Sequence, residues 1–340
     1  MRKIVIFLGV LAVFGLSIFG GLLWIKDSFA PRASETKFQK FLITKGSSAL
    51  GVANKLEEEG FVKSALAFKV YTQVTGLSRR ILAGEYEISP HMSLIQIVSK
   101  LTSGPLEVWV TVREGLRREE VAEKFIEGLS KSGEEGALFR QEFLSLSKDK
   151  EGLLFPDTYL FPKEASASAV VARMRSTFDR RMEEFEGQVV QSDLTLIEIA
   201  TLASILERET VTDEERPIVA GILLNRLKIN MGLQADATVQ YAKANAKCLP
   251  AQTGQMPNAK CDWWEPLLKE DLNIDSPYNT YKYRGLPPAP IASPGLSSLK
   301  AAIKPESTDY LYYLHDDSGG IHYASTLEEH NGNVSRYLGK

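Results

Sequence analysis

Two glutamates close an otherwise apolar run, Leu202-Ala203-Ser204-Ile205-Leu206-Glu207-Arg208-Glu209-Thr210. A carboxyl group pressed against apolar surface has its pKa raised, because burial penalises the charged form, and such a group can serve as a general acid near neutral pH. Residues two apart on a helix differ by roughly 200° in direction, so Glu207 and Glu209 do not share a face and cannot act as one carboxylate pair. Glu207 stands one turn past Ala203 and Ser204 and two turns past Ala200, small residues that let another layer or a ligand approach. Glu209 follows Leu202, Ile205 and Leu206 but lies near the line of Glu198 and Asp213. Both surroundings are partly apolar, so these residues favour Glu207 over Glu209 as the desolvated acid only narrowly, and both glutamates are also candidates for capping or for ion pairs with Arg208 or Arg216.

Other chemistries find less support. The histidines are His91, His315, His322 and His330, with no HExxH pattern and no cysteine or histidine cluster, so neither a metal nor a cofactor is called for. No GxSxG or phosphate-loop pattern occurs either. A formal charge of -3 and a pI near 6.0 remove the electrostatic reason to expect nucleic acid.

The glutamates need a buried helix, and the pattern supplies one. Leu196, Ile197, Ile199, Ala200, Leu202, Ala203, Ile205 and Leu206 run nearly all the way round it, which predicts a core helix from Leu194 to about Glu209 capped by Ser192 or Asp193. Thr212-x-x-Glu215 matches a capping box for a second helix to about Ile229, with Pro217 in its first turn. Upstream, Glu151 to Pro162 (EGLLFPDTYLFP) is too rich in proline for a regular helix, and Ala165 to Glu186 predicts a long charged one. Tyr310 to Tyr323 predicts a hairpin around DDSGG.

The N-terminal third is organised differently. Ile4 to Ile25 carries no charge over 22 residues, and as a helix it would span the hydrocarbon core of roughly 30 Å. Arg2 and Lys3 precede it, so residues 1–3 are expected to be cytoplasmic, 4–25 a transmembrane helix, and everything after Lys26 outside. A cleaved signal peptide ending at Ser28-Phe29-Ala30 is the alternative, although the run exceeds the usual apolar region of about 7–15 residues. After a linker over 26–37, Phe38 to Thr44 predicts a strand. A helix capped by Ser47 or Ser48 follows to Glu59, then a helix from Ser64 to Gly76, a strand from Ile81 to Ile88, and a helix capped by Ser93. This order over 38–105 resembles a LysM-like module, a fold associated with glycan binding; a plain spacer domain fits it equally. A connecting unit over 106–150 has alternating Val108, Val110 and Val112, an amphipathic helix from about Arg117 to Leu129, and a polar loop over Ser130 to Gly136. The expected class is α+β, with a mixed α/β catalytic domain over 151–340.

The cysteines are Cys248 and Cys261, in the polar stretch CLPAQTGQMPNAKC. In a chain whose body lies outside the cytoplasm, a local disulfide between them is the natural reading.

Five stretches together resemble the MltG, or YceG-like, endolytic murein transglycosylases: EGLLFPDTY, LASILERET, GILLNRLKINMGLQADATVQYA, SPYNTYKYRGLPPAPIASPGLSSLKAA and YLYYLHDDSGGIHYASTLEEHN. They span roughly Glu151 to Asn331. The resemblance implies a membrane-anchored lyase that cuts peptidoglycan strands internally and leaves 1,6-anhydro-N-acetylmuramic acid ends. It also implies work beside glycan-polymerising synthases to limit strand length, and it places the acid on the first glutamate of its motif, Glu207. Asn225, Gln234 and Asp236 become candidates for hydrogen bonds to sugar hydroxyl or acetamido groups, and Tyr278, Asn279 and Tyr281 for pyranose stacking and amide contacts. Two features depart from the family pattern: Ala237 stands where proline is expected, and the loop between the cysteines is a local elaboration. A muramidase using water, with a second carboxylate, and a non-catalytic glycan-binding scaffold are the competing readings.

Overall fold

The computed structural model describes residues 2–34, 36–44, 46–249 and 261–339, with side chains from residue 14 onward. The chain divides into two compact units, Met1–Val110 with Leu160–Glu164, and Thr111–Tyr159 with Ala165–Lys340.

The chain opens with α1 (Arg2–Phe29), β1 (Gln39–Ile43), α2 (Ala49–Glu58), α3 (Ala65–Val74), β2 (Gly84–Ile88), α4 (Leu94–Thr102) and β3 (Glu107–Thr111). Next come α5 (Arg118–Gly128), α6 (Gly133–Leu146), β4 (Thr158–Pro162), α7 (Ala167–Glu183), α8 (Glu186–Gln191) and α9 (Leu196–Glu209). The remainder is α10 (Glu215–Lys228), α11 (Asp236–Cys248), α12 (Leu296–Ile303), β5 (Tyr312–His315), β6 (Ile321–Ala324) and α13 (Leu327–Tyr337).

In the first unit β1 and β2 pair antiparallel, Gln39 opposite Ile88 and Ile43 opposite Gly84, with α2 and α3 between them in sequence. The alternation on each strand sends Phe41, Ile43, Tyr86 and Ile88 into a core with Leu56, Phe61, Phe68 and Ile97. Ser48, Ser64 and Ser93 cap the three helices through hydrogen bonds of 3.1–3.3 Å to backbone N–H groups, each cap worth about 1 kcal/mol. The sheet order is β1-β2-β3-β4. Among the described residues no helix is long and apolar enough to cross a membrane. Residues 4–25, on which the anchor expectation rests, lie partly among those whose side chains fall outside the described set.

The second unit is built around α9. Ile199, Ala200, Leu202, Ala203, Ile205 and Leu206 are fully buried and pack with residues of α10, α11 and α12 in one core. Three sequence expectations are corrected here. The N-cap of α9 is Thr195, not Ser192 or Asp193, because Thr195 and Glu198 form a reciprocal box: Thr195 N donates to Glu198 Oε2 at 2.8 Å and Glu198 N to Thr195 Oγ1 at 3.4 Å. The expected loop over Ser130–Gly136 already contains the first turn of α6, where Phe139 and Phe143 stack toward Phe125 and their burial outweighs the poor helix propensity of glycine. The long helix expected over Ala165–Glu186 is α7, which ends at Glu183 because Phe185 turns into the core, and the short α8 follows from Glu186. The terminal hairpin pairs Tyr312 with Ala324 and His315 with Ile321.

Candidate functional site

Helix α9 sends its two terminal glutamates into different surroundings. Glu207 is enclosed, its side chain 6% exposed. Gly295 N and Ser298 Oγ donate to its Oε2 at 2.8 and 2.7 Å, and Arg216 Nη2 reaches Oε1 at 3.3 Å. Arg216, its own side chain 9% exposed, also pairs with Asp213. The loop that brings Gly295 there is tied down on both sides: Ile291 N donates to Ser204 Oγ at 3.0 Å, and Ser293 exchanges backbone bonds with Leu116 and Gly115, both 2.8 Å. At Gly295 a Cβ would meet the Glu114 carboxylate, so a side chain there would have to displace that of Glu114. Burial, and then the neighbouring Glu207, raise the Glu114 pKa. This face of α9 is a polar joint holding α12 and two loops, with Glu114 and Asp213 exposed at its edge.

Glu209 borders a cavity of about 350 Å³. Its Oε2 accepts from the Tyr313 hydroxyl at 3.0 Å, and its Oε1 from Ala237 N, in the first turn of α11, at 3.3 Å. Burial raises the Glu209 pKa above the ordinary 4.5, against the two hydrogen bonds that favour the carboxylate; Asp236 adds to the rise and His315 opposes it. Arg226 supplies a fixed positive charge on the cavity wall, with Nε donating to Leu311 O at 2.6 Å and Nη1 to Leu233 O at 2.7 Å. His330 stacks on Tyr312 at 5.2 Å, and burial, then Arg226, lower its pKa, which keeps the ring neutral near neutral pH. A partly desolvated acid, an arginine and aromatic faces around one cavity are what acid catalysis on a carbohydrate requires.

The sequence-derived binding residues separate into two groups. Gln234, Asp236 and Tyr281 line the cavity with Glu209. The Tyr281 hydroxyl donates to Asp236 Oδ1 at 2.6 Å, and the exposed Gln234 holds a left-handed backbone, φ 50°, a costly conformation for a residue with a side chain. Asn225, Asn279 and Tyr278 are used internally. Asn225 Nδ2 donates to Thr308 O at 2.6 Å, and Tyr278 packs on Tyr241 at 4.7 Å between ring centres. Asn279 is fully buried, with Nδ2 donating to Leu272 O (2.9 Å) and Ile274 O (2.8 Å) and Oδ1 accepting from Tyr281 N (3.0 Å). It shapes the turn that presents Tyr281. Asn279→Ala is therefore expected to cost about 2 kcal/mol of stability by removing a fully buried amide and leaving two part-buried carbonyls without their donor, measured by denaturant unfolding. Tyr313, Arg226, His330 and Glu114 were not singled out by sequence reasoning. Alternation in the hairpin puts Tyr313 on one face, but nothing local says that this face meets α9.

Ala237 occupies the position where proline was expected, and its N–H is a donor that proline lacks. Proline is tolerated in the first turn of a helix. Ala237→Pro should remove a bond that favours the Glu209 carboxylate, so the alkaline limb of the pH–rate profile should move to higher pH.

Cys248, at the end of α11, is joined by a disulfide to Cys261, with 6.0 Å between their Cα atoms. Among the described residues no group of three or more His, Cys, Asp or Glu side chains has the arrangement of a metal site.

Comparison with known proteins agrees along nearly the whole chain. The YceG-like family profile matches residues 41–336. A Bacillus subtilis protein named endolytic murein transglycosylase is 31% identical over 95% of this chain and 91% of its own length. A protein of that name from Streptococcus pneumoniae is 27% identical over 98% of this chain, which spans only 65% of the longer relative. The crystal structure of a YceG-like protein from Listeria monocytogenes superposes with a TM-score of 0.60 at 29% identity, covering 88% of this chain and 99% of that one. The profile covers the α9 glutamates, the cavity and the terminal hairpin alike, and the chain belongs to the YceG-like family.

Proposed function

We propose that this protein is an endolytic peptidoglycan lytic transglycosylase, with its chemistry in the Glu209 cavity. The observation that carries this reading is the Glu209 carboxyl group on the wall of a cavity that also holds Gln234, Asp236, Tyr281 and Arg226. Glu209 protonates the oxygen between N-acetylmuramic acid and N-acetylglucosamine as the bond to C1 breaks. The C6 hydroxyl of the same muramic acid residue closes onto C1, and the Glu209 carboxylate takes its proton. No water is consumed, and the 1,6-anhydro ring is the product. On this reading Gln234, Asp236 and Tyr281 bind sugar, whereas Asn225, Tyr278 and Asn279 support the walls. Glu207, the residue to which the family resemblance assigns the acid, is the second candidate on the same turn, where Gly295, Ser298 and Arg216 donate to it.

One observation favours conventional hydrolysis: Asp236 puts a second carboxylate on the same cavity. Mass spectrometry of products from purified peptidoglycan decides, since anhydro ends are lighter than reducing ends by one water. Reducing ends alone would overturn the transglycosylase reading.

The setting belongs to the same proposal. Residues 4–25 anchor the chain in the cytoplasmic membrane as a single-pass helix, with the catalytic body outside, next to the glycan-polymerising synthases whose strands it shortens. The β-α-α-β order of 38–105 is that of a LysM-like glycan-binding module. Its small cleft lies between the β1–α2 connection, with Thr44 and Ser47, and the segment containing Ser78 and Ile81.

A further inference from the structure

Helix α3 carries an apolar stripe on its outer face. Leu66, Val70 and Val74 follow one another at intervals of four, so they share one side of the helix, and they are 59%, 47% and 82% exposed. The opposite side, with Ala65, Phe68 and Thr72, is buried in the first unit. At about 100° per residue, Lys69 borders the stripe on one flank, and Ala67 and Tyr71 border it on the other. Arg79 and Arg80, both exposed, follow in the 3₁₀ turn Leu77–Arg80. Aliphatic side chains gathered on one exposed face and rimmed by polar residues mark a contact surface.

Its place beside α1 identifies what meets it. The Tyr71 flank of α3 is where α1 is attached: the Phe29 ring meets the Tyr71 ring edge-on at 5.3 Å, Lys63 Nζ pairs with Asp27 at 2.7 Å just before α3, and Ser28 is buried. Arg32 N and Ala33 N donate to Pro90 O at 3.0 and 3.2 Å, which fixes the chain as it leaves α1. Upstream of this joint Phe14, Leu16, Phe19, Leu22 and Trp24 of α1 are all exposed, so two apolar surfaces adjoin at the foot of α1. From Trp24 to Phe29 is about 7.5 Å along the helix axis. One headgroup layer is about 5–8 Å thick, because a bilayer measures about 40–45 Å with its headgroups and about 30 Å without them. With Trp24 at the edge of the hydrocarbon, where tryptophan is favoured, α3 lies at headgroup depth, and Lys69, Arg79 and Arg80 are within reach of lipid phosphates.

We propose that α3 and the turn after it form a membrane-surface contact, in which Leu66, Val70 and Val74 enter the headgroup layer around the foot of α1 while Lys69, Arg79 and Arg80 bind anionic lipid headgroups. This rests on the reading of residues 4–25 as a membrane anchor and is independent of which glutamate is the acid. The contact holds the first unit against the bilayer by a second attachment besides α1. Ser78 of the same turn also lines the small cleft of this unit, so the contact sets the height of that cleft above the membrane.

The test uses the full chain reconstituted into vesicles of phosphatidylcholine and phosphatidylglycerol. The two native cysteines are joined in a disulfide, so Val74→Cys and Ile18→Cys each offer one thiol for an environment-sensitive fluorophore. Nitroxides carried on the lipid headgroup or on the acyl chain then report depth. The label at position 74 is expected to be quenched by the headgroup nitroxide and shielded from aqueous iodide, and the label at position 18 to be quenched by the acyl-chain nitroxide. Arg79→Gln and Arg80→Gln should each lower the ratio of docked to undocked label at position 74 by about fivefold on these vesicles, the weight of one basic residue at an anionic surface, and change nothing on pure phosphatidylcholine. Val70→Asp should expose that label to iodide. Quenching at position 18 beside an iodide-accessible position 74 overturns the contact and leaves the anchor. Quenching at neither position overturns both, and quenching at position 74 alone keeps the contact and removes the anchor. Unchanged docking in both arginine variants overturns the assignment to anionic lipid. Val74→Cys copies that cross-link to each other without lipid quenching place a second copy on the stripe, which also overturns the proposal.

Discussion

Glu209→Gln is expected to lower kcat for release of anhydro products by about 10²–10⁴-fold, the range a positioned general acid contributes, while the protein stays folded. Glutamine keeps the size of the side chain and can still accept from Tyr313 and Ala237, but it has no proton of the required acidity to give. Stability should move the other way from activity. Burial raises the Glu209 pKa, so the folded protein holds this proton more tightly than the unfolded chain. The contribution to stability is therefore fully present below the ordinary 4.5 and is lost as pH rises through the folded value. Above the folded pKa the ionised group is a cost that a neutral amide avoids, and there the melting temperature of the variant should equal or exceed that of wild type. The same sign governs the rate: cleavage needs the protonated acid, so wild-type kcat falls as pH climbs through the raised pKa, and the variant loses that limb. A variant with wild-type kcat would move the acid elsewhere.

The fold and the site differ in how far local sequence reaches. Helix α9 was legible because its burial pattern is periodic, and the opposite directions of Glu207 and Glu209 followed from helical geometry alone. What each faces did not follow, because the partners are remote in the chain: Gly295 and Ser298 lie 88 and 91 positions from Glu207, and Tyr313 lies 104 from Glu209. Small residues before Glu207 left room for another layer or a ligand, and a loop takes that room beside Ser204, to which Ile291 is bonded. Asn279 and Asn225 show the same limit. A polar side chain next to aromatic motif residues reads as a ligand contact, but both amides donate to backbone carbonyls of remote or turn residues, a need visible only once the chain is folded. Gln234, Asp236 and Tyr281 were legible because they sit in turns and at a helix start, where side chains point away from the core.

Glu207→Ala should produce the larger loss of stability. The glutamate and Arg216 are both enclosed, and removing one partner of a buried ion pair leaves the other charge short of a counterpart. Asp213 still pairs with Arg216 but is largely exposed, its side chain 70% accessible, and cannot substitute inside the joint. Gly295 N–H and the Ser298 hydroxyl lose their acceptor at the same time. The expected cost is about 3 kcal/mol, a large part of the net stability of a domain, and for a unit of this size it corresponds to a fall in melting temperature of roughly 6–12 °C. Glu207→Gln restores an acceptor for Gly295 and Ser298 without the charge facing Arg216, so it should fall between wild type and alanine in thermal unfolding. With Glu209 as the acid, as proposed above, the glutamine variant should keep most of its kcat at temperatures where it is folded. A folded Glu207→Gln protein with no activity, beside an active Glu209→Gln, would return the acid to Glu207 and make the polar joint the site that takes the substrate.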